Sequence, residues 1–300
     1  MMNIPFCLMA LLFFISPNVA LNGIIKSTTQ KSISLRVDRD TQFNKKLRAI
    51  VEASRNGRFS LPDELYAMRK SIVQIDLSMI PLKAQHLKTL VRLFPNIRSL
   101  NLANTHLLCE HITYLRGLHD LTSLNLDNNS MGTAGVEALA NSKNLKNLTD
   151  LSFAGVLGYS CRYTGLHRGT EGAKILVNSK NLENLRSLNL SRNFIGNDGA
   201  KALANSKYMK NLRDLDLGAY NLIGDKGAKA IANSMNLGNL RSLNLRDSYI
   251  SNEGVKVLIN SVHLNNLTRL DLLYRDPSIK TKDKKALKKL ARARKLRLRL

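Results

Sequence analysis

Four residues within one short stretch, His106, Cys109, His111 and His119, are of the types that bind zinc. Their spacing fits no closed tetrahedral site, so no metal is expected. The segment Ile195-Gly196-Asn197-Asp198-Gly199-Ala200 offers a second candidate chemistry, because glycines ahead of a helix can cradle phosphate. Related copies begin at Met131, Ile223 and Ile250, which makes the motif part of the architecture. No nucleophile–base arrangement emerges beside these, and neither an enzyme activity nor a cofactor is expected.

What remains is binding chemistry, and the elements that position it recur along the chain. The segments starting at Leu185, Leu212 and Leu240 are near-copies, and self-similarity at this period predicts an open stack of like units. The apolar frame opens at Ile72, Ile97, Leu121, Leu148, Leu185, Leu212, Leu240 and Leu267, at intervals of 25, 24, 27, 37, 27, 28 and 27 residues. Each unit starts with alternating apolar and polar residues, the period of a strand buried on one face. The period then changes: Ala200, Leu203 and Ala204 have helical spacing. Thr133, Thr170, Asn197, Asp225, Asn252 and Thr281 are expected to cap these helices. Gly135, Gly172, Gly199, Gly227 and Gly254 are expected where neighbouring helices leave no room for a Cβ. The fold class is therefore α/β: a curved solenoid with parallel strands on the concave face and helices on the convex face. Neighbouring units supply one another's core, at about 1.5–3 kcal/mol per buried apolar side chain.

Outward strand positions, three per unit, form the concave floor. They carry Asp76, Asp127, Asp150, Asp214, Asp216 and Asp271 against Arg246 and Arg269, in a chain of net charge +24. An acidic strip on a basic protein is suited to steering a basic partner. Tyr220, Tyr249, Tyr274 and Arg275 add side-chain types that dominate binding hot spots. The 37-residue unit has extra residues between Phe153 and Thr170, where an insertion projects beside the concave face. Its candidate contacts are Tyr159, Arg162, Tyr163, His167 and Arg168, and Cys161 is a candidate reactive thiol.

The ends of the chain differ from its middle. Ile4 to Ile15 form an apolar run followed by small residues near Ala20. This predicts a signal peptide over residues 1–20, or an anchor if uncleaved, and a secreted or extracytoplasmic location, although no Lys or Arg precedes the run. Residues 24–71 read as a helical cap, with Phe43, Leu47, Ile50 and Val51 on one helical face, and residues 72–300 as the repeat domain of about nine units. Residues 280–300 carry eleven Lys or Arg and one Asp. Ala286, Leu287 and Leu290 predict a helix face there, and Leu296, Leu298 and Leu300 a closing strand, so the tail reads as a final half-unit. Lys284, Lys285, Lys288, Lys289 and Arg292 are its candidate contacts for an anionic membrane or nucleic acid, together with lysines of the convex helices. Cys109 and Cys161 make no disulfide framework. A monomer is expected.

The pattern L-x-x-L-x-L-x-x-N-x-I-G-x-x-G-A-x-x-L-A, complete from Leu185 to Ala204, resembles the ribonuclease-inhibitor-like class of leucine-rich repeats. Its Gly-Ala-x-x-Leu-Ala core also resembles effector repeats that accompany an F-box. The nearest F-box-like text here, Leu61-Pro62-Asp63-Glu64-Leu65, leaves no room for further F-box helices before Ile72. The resemblance implies a horseshoe that binds proteins, as inhibitors, sensors, effectors and GTPase activators of this class do. A GTPase activator would use an Arg or Asn at a loop, such as Arg192 beside Asn193, but nothing separates Arg192 from its counterparts. The expected function is an exported, non-enzymatic protein-binding scaffold of inhibitor-like or effector-like type. It is expected to engage its partner through the concave face and the fourth-unit loop.

Overall fold

The computed structural model describes residues 33–36, 70, 72–156, 168–273 and 281–300. Ten short strands lie side by side in chain order in one sheet, every pair parallel. They are β1 (Ile33–Arg36), β2 (Ile72–Asp76), β3 (Ser99–Asn101), β4 (Ser123–Asn125), β5 (Asp150–Ser152), β6 (Ser187–Asn189), β7 (Asp214–Asp216), β8 (Ser242–Asn244), β9 (Arg269–Asp271) and β10 (Arg297–Arg299). The leucine alternation accounts for them. In β6, Leu188 is buried between half-exposed Ser187 and Asn189, and the register sets it level with Leu151 and Leu215.

Parallel neighbours need a crossover on the far side of the sheet. The crossovers are α1 (Ala84–Leu93), α2 (Gly132–Ala140), α3 (Arg168–Val177), α4 (Gly196–Asn205), α5 (Asp225–Ala232) and α6 (Asn252–Ile259), with α7 (Thr281–Ala293) before the last strand. The shortest unit uses a 3₁₀-helix, Cys109–Gly117, instead. A 3₁₀-helix rises about 2.0 Å per residue against 1.5 Å, so fewer residues cross the same distance. The core lies between sheet and helices as one continuous cluster running from Ile72 to Leu296. Among the described residues no helix is long and apolar enough to cross a membrane.

Buried asparagines lock three of the turns that follow strands. Asn193 donates to the Phe153 carbonyl at 2.7 Å and to that of Leu190 at 3.0 Å, and accepts from the Val156 N–H at 2.9 Å. Asn129 and Asn221 repeat the arrangement. The expected crowding between neighbouring helices is met at Gly227 and Gly254: a Cβ on Gly227 would stand 2.6 Å from Ile223 Cγ2 and 3.2 Å from Ala200 Cβ in the neighbouring helix.

Three expectations need correction and two fall outside the described residues. Strand β1 extends the sheet one strand before the first expected unit, because Ile33-Ser34-Leu35-Arg36 alternates without the helix-start motif that marks the other units. The expected cap helix around Phe43 to Val51 and the expected signal lie outside the described residues. Like Thr133, Thr170 and Thr281, the residues Asn197, Asp225 and Asn252 do not cap their own helices, which start at or just before them. Their side chains bond to the next unit instead: Asn197 accepts from the Gly227 N–H at 2.6 Å, Asp225 from the Ser251 N–H and hydroxyl, and Asn252 donates to Asp283 at 2.9 Å. In the tail, Ala286 is exposed, and the inward face of α7 is Leu287, Leu290 and Ala291.

Candidate partner-binding surfaces

Strand register aligns the outward side chains into rows across the sheet. The central row runs Asp76, Asn101, Asn125, Ser152, Asn189, Asp216, Asn244, Asp271 and Arg299. Its members bond to one another across strands. Asn101 donates to Asp76 and Asn244 to Asp216, each at 3.0 Å, Asn189 donates to the Ser152 hydroxyl at 2.9 Å, and Arg299 pairs with Asp271 at 3.1 Å. The Oδ1 atoms of Asp76, Asp216 and Asp271 also accept the backbone N–H two residues on, which fixes the turn leaving the strand. Asp76, Asp216 and Asp271 are thus occupied by the framework.

Asp127 is occupied as well. Its Oδ1 accepts from the Ser152 hydroxyl and the Ala154 N–H, both at 2.7 Å. Burial raises its pKa above the ordinary carboxylate value, while those two bonds act the other way. Asp150 and Asp214 differ from the other four. Both are exposed in the first row, Asp150–Ser187–Asp214–Ser242–Arg269. Asp150 accepts from the Thr149 hydroxyl at 2.6 Å, and Asp214 lies in no ion pair among the described residues. Of the six acidic floor residues, these two keep carboxylates open to a partner.

A second surface lies along the rim where the strands end. Tyr220 and Tyr249 are each 61% exposed there and Leu222 is 39% exposed. Phe194 is half-buried, with its ring 6.2 Å from that of Tyr220. The turn geometry presents these side chains: Phe194, Tyr220, Leu222 and Tyr249 all have left-handed backbone, with φ of 54°, 49°, 53° and 56°. Their counterparts Asn104, His106, Asn128 and Arg192 share that conformation, so the turn belongs to the fold and the aromatic choice to these units. Arg246 is exposed beside them, 3.8 Å from Asp247, and Arg269 is exposed on β9. Tyr159, Arg162, Tyr163, His167 and Tyr274 lie outside the described residues, and so do Cys161 and Arg275.

The basic tail packs against the preceding unit. Leu287, Ala291 and Leu296 are buried, and Arg294 donates to the carbonyls of Ile259 and Ser261 at the end of α6. In earlier units a serine occupies that place: Ser179 donates to the Ala140 carbonyl at 2.6 Å, and Ser261 to that of Ala232. Lys285, Lys288, Lys289 and Arg292 are exposed, and Lys284 is half-buried. The zinc-type residues do not converge, and no group of three potential metal ligands occurs among the described residues. His111 Nδ1 instead accepts the Leu108 N–H at 3.0 Å at the start of the 3₁₀-helix.

Sequence reasoning passed over one row. Arg186, Arg213 and Arg241 occupy the second position of three successive L-x-x-L-x-L motifs, the signal by which they were legible. They line a groove of about 530 Å³ along the edge where the strands begin.

A family model described as Leucine Rich repeat matches residues 117–140, 181–204, 208–232 and 239–258. Comparison with curated proteins returns no match. Among solved structures, the crystal structure of a TLR13–ssRNA13 complex is similar at 16% identity and a TM-score of 0.38, covering 72% of this chain. The chain spans 35% of that protein's length. The repeating strand, turn and helix give the chain the fold of a leucine-rich repeat solenoid, and the repeat itself is matched in those four segments.

Proposed function

We propose that the chain is an exported, non-enzymatic scaffold that captures a protein partner between its concave floor and the rim where the strands end. The observation that carries this reading is the pair Tyr220 and Tyr249, held outward on neighbouring units and each 61% exposed. Exposed aromatic groups in a cluster mark binding surfaces, and tyrosine is enriched among residues that dominate binding energy. Leu222 is 39% exposed in the same turn as Tyr220, Arg246 is exposed just before the turn that holds Tyr249, and Arg269, Asp150 and Asp214 are exposed on the floor. The complete consensus from Leu185 to Ala204 and the helical crossovers support the ribonuclease-inhibitor-like class. The apolar run before Ala20 supports export.

Affinity capture from a relevant extract with the chain lacking residues 1–20 tests the reading. A partner retained by that chain should be lost from the Tyr220→Ser/Tyr249→Ser variant and weakened by Asp150→Lys/Asp214→Lys, with melting curves unchanged. Equal capture by all three removes it. A second reading, peripheral contact with an anionic surface, is favoured by the exposure of Lys285, Lys288, Lys289 and Arg292 on α7. Association with acidic vesicles or RNA that weakens steeply across a salt series would support it. Its absence would remove it.

A further inference from the structure

The edge where the strands begin carries a cationic groove that the rim reading does not use. Arg186, Arg213 and Arg241 stand immediately before β6, β7 and β8, and all three are exposed. Their backbones are tied into a ladder: the Arg213 N–H donates to the Arg186 carbonyl and the Arg241 N–H to the Arg213 carbonyl, both at 2.7 Å. Neighbouring strands are about 4.8 Å apart, so the three side chains leave a ledge roughly 10 Å long, the length of about three residues of extended peptide. None of the ion pairs among the described residues engages them.

The groove also contains Asn184, Asn211 and Asn239. Each Nδ2 donates to a backbone carbonyl of the preceding unit, those of Lys146, Glu183 and Lys210, at 2.8 Å. A carbonyl can only accept, so each amide has one orientation, and its Oδ1 remains an acceptor. Forked cationic donors and neutral acceptors therefore alternate along the groove at one of each per unit. An occupant must bring anionic oxygens for the first and N–H groups for the second. An extended peptide carrying Asp or Glu brings both, and guanidinium forks match carboxylates two bonds at a time. A phosphodiester backbone offers acceptors alone, and no aromatic side chain lines the groove to stack a base.

We propose that this groove binds an extended acidic segment of a protein partner, with Arg186, Arg213 and Arg241 holding carboxylates and the asparagine oxygens holding peptide N–H groups. The surface is separate from the tyrosine rim and selects the opposite charge from an acidic floor, so either proposal can fail alone. Fluorescence anisotropy with the full chain tests it, using a labelled peptide of alternating Glu and Ser, its Gln–Ser counterpart and a single-stranded oligouridylate. Arg186→Gln/Arg213→Gln/Arg241→Gln should bind the acidic peptide at least about tenfold more weakly than the unaltered chain. Lys70→Gln/Lys88→Gln/Arg116→Gln, which removes equal charge elsewhere, should stay within about twofold of it. The Gln–Ser peptide should not bind. Should the Gln variant fail to fold, Arg186→Lys/Arg213→Lys/Arg241→Lys keeps the charge without the fork and should still lose several-fold affinity. Equal loss in the groove and control variants, no binding of the acidic peptide, or an oligouridylate that depends on the arginines more than the peptide does would each overturn the proposal. Full affinity in the Lys variant would overturn it too.

Discussion

Asp214 and Asp216 lie two positions apart on β7 and have different roles. Asp216 accepts the Gly218 N–H at 2.8 Å and Asn244 Nδ2 at 3.0 Å, whereas Asp214 is exposed. Asp216→Ala strands two half-buried donors and should cost about 1–3 kcal/mol in urea unfolding. Asp214→Ala should stay within about 0.5 kcal/mol. Equal costs would contradict the division between framework and open carboxylates. Asp127 has a pH signature. Burial lifts its carboxyl above the ordinary value, so the folded state holds the proton more tightly than the unfolded chain. Its contribution is therefore full below the unfolded pKa and is lost as pH rises through the raised folded one. Asp127→Asn retains an acceptor for Ser152 and Ala154 without the buried charge. Melting compared from pH 4 to pH 7 should show the variant gaining on the unaltered chain as pH rises; a gap moving the other way would refute the sign.

Turn and helix are held by contacts between units. Asn221 is fully buried, donates to the Leu190 and Leu217 carbonyls at 2.9 Å each, and accepts the Asn193 N–H at 2.9 Å. Asn221→Ala abandons several buried backbone groups and should cost at least about 3 kcal/mol. Asn221→Asp should be no remedy, since a carboxylate has no donor for the two carbonyls. Gly254→Ala sets two effects against each other. Helix propensity favours alanine by about 1 kcal/mol. The new Cβ, however, would lie 2.6 Å from Ile250 Cγ2 and overlap the Asp225 carboxylate. Asp225 cannot simply rotate away, because the Ser251 N–H and hydroxyl both bond to it. Overpacking of about 1–3 kcal/mol should prevail, and the melting temperature should fall; a rise would show that the helices can part cheaply.

Over the whole molecule, stability passes from unit to unit. The basic tail joins that stack with Leu287, Ala291 and Leu296, and with Arg294 in the place earlier units give to serine. Leu287→Ala should cost about 2–5 kcal/mol, whereas Lys288→Gln, on the outer face, should be near neutral. The reverse order in thermal unfolding would mean that the tail is not packed into the stack. The high positive charge of the tail is thus compatible with a packed unit, while the two edges of the sheet carry different surfaces: tyrosines where the strands finish and arginines where they start.

The spacing of leucines, glycines and turn asparagines determined the parallel sheet, the helical crossovers and the inward face of each strand, because these depend on local period and on which side chains leave water. Strand β1 escaped because its alternation stands without the motif that follows the other strands. The jobs of the polar residues were not legible in one unit taken alone. Asn197 looked like a cap and bonds to Gly227, thirty residues away; Asp216 looked free and holds Asn244. Register between strands decides which side chains become neighbours. It spends four of six floor aspartates on the framework, leaves Asp150 and Asp214 open, and gathers Arg186, Arg213 and Arg241 from positions a full unit apart into one groove.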